Sequence, residues 1–99
     1  MKTDIQSIHF KADVKLKDYI SKKVEKLSTF YDGILDSQVF LKVHNVPEKE
    51  NKEVEIKVNA VNNSFIKKEV ARTFEAATDL AVEALKRQVK RFKGKVQSH

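Results

Sequence analysis

The sequence predicts an α+β fold with the element order β-α-β-β-β-α, a two-layer sandwich in which two helices cover one face of a four-stranded sheet. Three observations lead there. Residues 16–31 and 74–92 each repeat apolar side chains at spacings of three and four, the period of a helix with one dry stripe. Residues 39–43 and 54–60 instead alternate apolar and polar side chains, the period of a strand with one dry face. A helix with a single stripe can bury only one side, so both helices must lie on the same face of the sheet.

Taken in order, Met1 to Phe10 carries Ile5, Ile8 and Phe10 among polar residues and reads as a first strand of irregular alternation. Asp13 can cap the first helix by accepting from the unpaired amides of its opening turn. Leu16, Tyr19, Ile20, Val24, Leu27 and Tyr31 form the stripe of that helix, about four to five turns long. Gly33 then occupies the place where many helices end on a left-handed residue. Val39, Leu41 and Val43 make the second strand. Asn45 to Lys52, with the sole proline at Pro47, reads as a mobile loop. Val54, Ile56, Val58 and Ala60 mark the third strand, and Asn62-Asn63 suits a tight turn because Asn tolerates positive φ. Phe65 to Ala71 returns as the fourth strand with its register open: Ile66 and Val70 favour one face, Phe65 and Ala71 the other. Thr73 can cap the last helix, whose stripe is Phe74, Ala77, Ala81, Leu85, Val89 and Phe92.

Ninety-nine residues suit one domain, here 1–99, with neither repeat nor low-complexity segment. The chain has no cysteine, which excludes disulfides and thiolate metal sites. No apolar run approaches the roughly 20 residues of a membrane span, and the opening residues, with Asp4 and His9, lack the form of a secretory signal. The expected location is the cytoplasm. Nothing arms a catalytic group: the two glycines, Gly33 and Gly94, form no phosphate loop, and His9, His44 and His99 stand at no metal-ligand spacing. The expectation is a protein without catalysis, cofactor, metal or small-molecule substrate.

Charge is more informative. Twenty Lys and Arg against fourteen Asp and Glu leave +6, an excess that favours polyanionic partners, nucleic acid first. On the first helix Lys15, Lys22 and Lys26 fall at i, i+7 and i+11, with Lys23 adjoining. On the last, Lys86, Arg87, Lys90, Arg91, Lys93 and Lys95 follow one another with no acid after Glu83. A helix dipole rewards cations near its C-terminus by about 0.3–1 kcal/mol each, and Glu83 with Arg87 is a favourable i, i+4 pair. Six cations in the ten residues from Lys86 to Lys95 exceed that need, since they repel one another. With the helices side by side, these lysine and arginine rows are expected to line one common groove that accepts phosphates. The aromatics read mainly as core, with Phe40 and Phe65 candidates to face outward from the sheet. No spaced aromatic signature of a base-stacking sheet is present, so contacts to backbone and shape are expected to dominate over base reading.

Several stretches together resemble the ribosome hibernation-promoting factor family, also called ribosome-associated inhibitors. They are Leu16, Tyr19, Lys23, Lys26, Leu27 and Phe30-Tyr31 before Asp32, the strand Leu41-Lys42-Val43, the run from Phe74 to Asp79, and the run from Asp79 to Lys93. The likeness spans essentially the whole chain and rests on collinearity rather than on one specific motif. Asn62 to Arg72 matches least, and Glu75 stands where many members carry an aromatic. The resemblance implies a fold like the double-stranded-RNA-binding domain with an added first strand. It also implies binding to the small ribosomal subunit, in the channel of messenger and transfer RNA, with hibernation by steric occlusion. Lys23, Lys26, Arg87, Arg91, Lys93 and Lys95 are the RNA-binding positions it carries over; Lys22, Lys86 and Lys90 join them by helical spacing. Long family members possess a C-terminal dimerisation domain, which this chain is expected to lack, being monomeric away from the ribosome. Two other readings stay open on the residues alone: a general double-stranded-RNA binder, and a basic module that meets an acidic protein.

Overall fold

The computed structural model describes residues 1–97, folded as β1 (Lys2–Ile8), α1 (Val14–Glu25), β2 (Ile34–Val43), β3 (Lys52–Ala60), β4 (Asn63–Ala71) and α2 (Phe74–Gln97). The strands lie in the order β1-β2-β3-β4, with β1 parallel to β2 and the remaining pairs antiparallel. The expected α+β architecture, a four-stranded sheet with two helices, is the one observed.

The periodicities explain the core. On β3, Val54, Ile56, Val58 and Ala60 turn inward and are buried, while the residues between them are half-exposed. On β2 the inward set is Ile34, Ser37, Val39 and Leu41, a change of parity within one strand. A bulge between Ile34 and Asp36 causes it. Leu35 is the extra residue, left 58% exposed, and everything after it is turned over to the opposite face. Ser37, thus forced into the core, is satisfied by donating from Oγ to Thr3 Oγ1 at 3.0 Å on the neighbouring strand. Against this sheet face lie Ile20, Val24 and Leu27 from the first helical region and Ala77, Ala81, Leu85 and Val89 from α2, all fully buried. Each large aliphatic there contributes about 1.5–3 kcal/mol by leaving water, and truncation to Ala costs about 2–5 kcal/mol.

The caps act as expected. Asp13 Oδ1 accepts from the Leu16 amide at 2.8 Å, and Thr73 Oγ1 from the Ala76 amide at 3.0 Å. The tight turn falls one residue earlier than the expected Asn62-Asn63: its two residues are Val61 and Asn62, the latter left-handed at φ 64°, and Asn63 opens β4 by pairing with Ala60. Three further expectations need correction. Gly33 is not left-handed: among the described residues only His9 and Asn62 have positive φ. The first helix ends instead in a 3₁₀ turn, Lys26–Thr29, closed by Phe30 N–H donating to the Leu27 carbonyl at 3.1 Å. The absence of a side chain at Gly33 makes room for the tip of the Tyr31 ring, since a Cβ there would stand 2.5 Å from it and the ring would have to shift. The second strand begins at Ile34 rather than near Val39, and Lys52 belongs to β3 rather than to the preceding loop. On β4, Phe65 and Ala71 take the inner face while Ile66 and Val70 stay exposed, because Phe65 pairs with the inward Val58.

Candidate nucleic-acid interface

The two helices meet along one flank of each. Tyr19 on α1 donates its hydroxyl to Asp79 Oδ1 on α2 at 2.7 Å, a part-buried bond joining residues 60 positions apart. Lys23, one turn after Tyr19, holds its Nζ 3.5 Å from the same oxygen and 5.6 Å from the Tyr19 ring centroid. The Tyr19 phenol is held above its ordinary 10.0, first by the hydrogen bond to Asp79, then by burial, then by the negative charges of Asp79 and Glu75.

Below this clamp the helices part into an open cleft of about 640 Å3. Leu27, Phe30 and Val82 supply its apolar lining, while Lys23, Lys26, Thr29, Asp79, Glu83 and Lys86 supply its polar rim. Phe30 is half-buried at the end of the 3₁₀ turn, with Lys86 Nζ at 5.1 Å and Lys90 Nζ at 5.0 Å from its ring centroid. Both ammoniums are within the range in which a ring quadrupole attracts a cation. Two acids in a lysine-rich rim make the cleft mixed in charge rather than uniformly positive.

The structure separates the basic residues expected in one groove. Lys23, Lys26 and Lys86 line the cleft, and Lys90 reaches its Phe30. Lys22 is exposed on α1. Lys93, seven residues beyond Lys86, continues the Lys86 flank and is half-buried. Arg91 and Lys95 lie on the other side of α2, where with Asn63, Ser64, Phe65, Gln88 and Phe92 they border a shallow hollow beside β4. Arg87 is exposed on the ridge between the two flanks. The reason is local geometry: each residue turns a helix by about 100°, so Lys86-Arg87 and Lys90-Arg91 each point to different neighbours. Among the described residues, none of Lys26, Lys86, Arg87, Lys90 and Arg91 takes part in an ion pair, Glu83 with Arg87 included.

Sequence reasoning missed three participants. From the sequence, Tyr19 reads as stripe, Asp79 as one acid of a helix start and Phe30 as half of an aromatic pair; all three also carry the family likeness, but none is assigned a place in the site. The i, i+4 step from Tyr19 to Lys23 was a signal for part of this; nothing local links either to Asp79. Of the two aromatics expected to face outward, Phe65 is turned inward at 5% exposure, with its ring 5.4 Å from that of Phe92. Phe40 is half-buried on the helix-free face, opposite Glu55. The described residues contain no group of three or more His, Asp or Glu able to hold a metal, and no helix long and apolar enough to cross a membrane.

Residues 3–97 match the profile of a family described as sigma 54 modulation protein / S30EA ribosomal protein. The chain belongs to this family. This S30EA-family chain is 29% identical over 98 residues to a protein of Pseudomonas putida named ribosome hibernation promoting factor, covering 99% of the chain and 92% of the relative. It is 30% identical over 79 residues to a ribosome hibernation promotion factor of Deinococcus radiodurans, covering 79% of the chain but 41% of that longer relative. Among solved structures, the N-terminal domain of Thermus thermophilus Protein Y superposes with a TM-score of 0.76 at 30% identity, covering 92% of this chain and 94% of that one. A ribosomal subunit interface protein from Coxiella burnetii gives a TM-score of 0.82 at 16% identity, covering 95% and 99%, a likeness of fold.

Proposed function

We propose that this chain is a cytoplasmic, ribosome-associated translation inhibitor that binds the small ribosomal subunit in the channel of messenger and transfer RNA. In that place it acts as a single ribosome-binding domain, holds the idle ribosome silent and promotes hibernation without a chemical step. The observation that carries the reading is the cleft between α1 and α2, with Lys23, Lys26 and Lys86 on its rim and Lys90 beside it, in a chain of this family.

The mechanism follows from charge and shape. Lys22, Lys23, Lys26, Lys86, Lys90, Lys93 and Lys95 present point charges on flexible stems to ribosomal RNA phosphates, and Arg87 and Arg91 can engage a phosphate through two parallel N–H bonds. Cations on both flanks of α2 let that helix sit between two strands of RNA backbone. The Tyr19–Asp79 bond fixes the distance between the helices, so the basic rows arrive preordered. Inhibition is then exclusion: the folded domain fills space that messenger and transfer RNA need.

Co-sedimentation of the purified protein with small subunits, with and without competing messenger and transfer RNA, tests this. Saturable binding that the competitors displace is expected. Binding indifferent to the competitors and matched by plain duplex RNA would replace the proposal with a general double-stranded-RNA binder. Absence of binding to subunits would turn attention to an acidic protein partner.

A further inference from the structure

Phe30 is an aromatic ring at the mouth of a cleft, with lysines on its rim and two ammoniums resting on it. We infer that Phe30 is a stacking platform for one unpaired nucleobase of RNA, whose flanking phosphates are gripped by Lys26, Lys86 and Lys90. The inference deepens the proposed function and rests on it.

Four features point to a nucleotide. The ring packs against the core yet stays half-buried and lines the cleft, whereas Phe65 is buried. The cleft has the size of a small-ligand site, and its apolar lining, Leu27, Phe30 and Val82, suits a flat aromatic body. Its rim supplies Lys23, Lys26 and Lys86 for the charged part of the same ligand, as charge complementarity to a nucleotide requires. Asp79 and Glu83, also on the rim, can accept from the amino or imino hydrogens at a base edge.

Energy favours the exchange. The two exposed ammoniums over the ring together strengthen an equilibrium by about 5- to 30-fold, which a base stacked on an aromatic matches or exceeds at about 5- to 150-fold. A base that takes the ring displaces Lys86 and Lys90 from Phe30, and they move to the adjoining phosphates instead of losing a partner. The empty protein thus stores its cations on the ring that the base will occupy. Stacking accepts any base, so the site grips an extruded nucleotide without reading its identity.

The test uses the full chain and a short oligoribonucleotide whose only base is 2-aminopurine, flanked by abasic riboses, beside an all-abasic strand of equal length. Wild type is expected to bind the base-bearing strand about 5- to 150-fold more tightly than the abasic one, with quenching of the fluorescence. Phe30→Leu, which keeps an apolar side chain against Leu27, should bind both strands equally without quenching, and Phe30→Tyr should restore the preference. Equal binding of both strands by wild type, or a preference that survives in a folded Phe30→Leu, overturns the inference. Small-subunit co-sedimentation of wild type separates the two failures: binding to subunits without base preference removes the stacking site alone, while base preference without subunit binding removes the ribosomal reading alone.

Discussion

Replacing Lys23, Lys26, Lys86 and Lys90 together with glutamine removes the four cations gathered at the cleft while keeping most of each side-chain stem. If each neutralises one phosphate, the slope of log affinity against log salt should become shallower by about 3 to 4, taking 0.7–0.9 per phosphate. Over a rise from about 50 to 200 mM salt, that corresponds to roughly a hundredfold less loss of affinity than wild type suffers. The fold should persist with reduced stability. The Lys23–Asp79 pair is 38% and 46% exposed, so it contributes a few tenths of a kcal/mol once solvent screening is allowed for. The two lysine contacts on Phe30 add about 0.5–1 kcal/mol each. At about 4–8 °C per kcal/mol for a domain of this size, the thermal midpoint should fall by roughly 5–20 °C. The assay is binding to labelled small subunits across a salt series, with a thermal melt on the same samples. A folded quadruple variant whose slope stays within about one of wild type would mean that these lysines face solvent in the complex. The cleft would then not be the interface.

Charge reversal at Arg87 and Arg91, both exposed and away from the buried stripe, should release the protein from subunits and leave the melt unchanged; intact co-sedimentation would confine the interface to the α1 flank of α2. In a Tyr31→Phe background, ultraviolet titration should show the Tyr19 phenol ionising above 10.0, and Asp79→Ala should bring it back toward that value. The folded state keeps this proton at a pH where the unfolded chain has lost it. Its stabilising share is therefore complete below 10.0 and disappears as pH rises through the raised value, so a melting profile flat across that range would refute the coupling. Gly33→Ala drives a Cβ to within 2.5 Å of a Tyr31 ring that already meets Phe92 edge-on at 5.6 Å. A loss of about 1–3 kcal/mol in denaturant unfolding is expected, and an unchanged midpoint would show the ring free to swing aside.

Much of the frame was legible in the residues because its causes are local. The 3.6 and 2.0 periodicities of α1, α2 and β3, the caps at Asp13 and Thr73 and the turn at Asn62 each depend on neighbours within about four positions. Register on β4 was not legible, because Ile66 and Val70 offer a face as apolar as Phe65 and Ala71 do. Pairing with β3 decided it, placing Phe65 opposite Val58. The bulge at Leu35 was equally hidden: it inverts which side of β2 faces the core, and only the partner strand shows the mismatch.

The same division runs through the candidate site. The sequence by itself determined that cations crowd one end of α2 and one stretch of α1, since composition and spacing need no partner. The helical spacings also pointed to one shared groove for all these cations; tertiary structure decided that lysines 23, 26 and 86 line it while Arg91 and Lys95 border a hollow beside β4. It alone brought Asp79 to Tyr19 and left Phe30 at the cleft beneath two ammoniums. These contacts join residues about 50 to 60 positions apart, and chain connectivity constrains such pairs only after the sheet has set the two helices side by side.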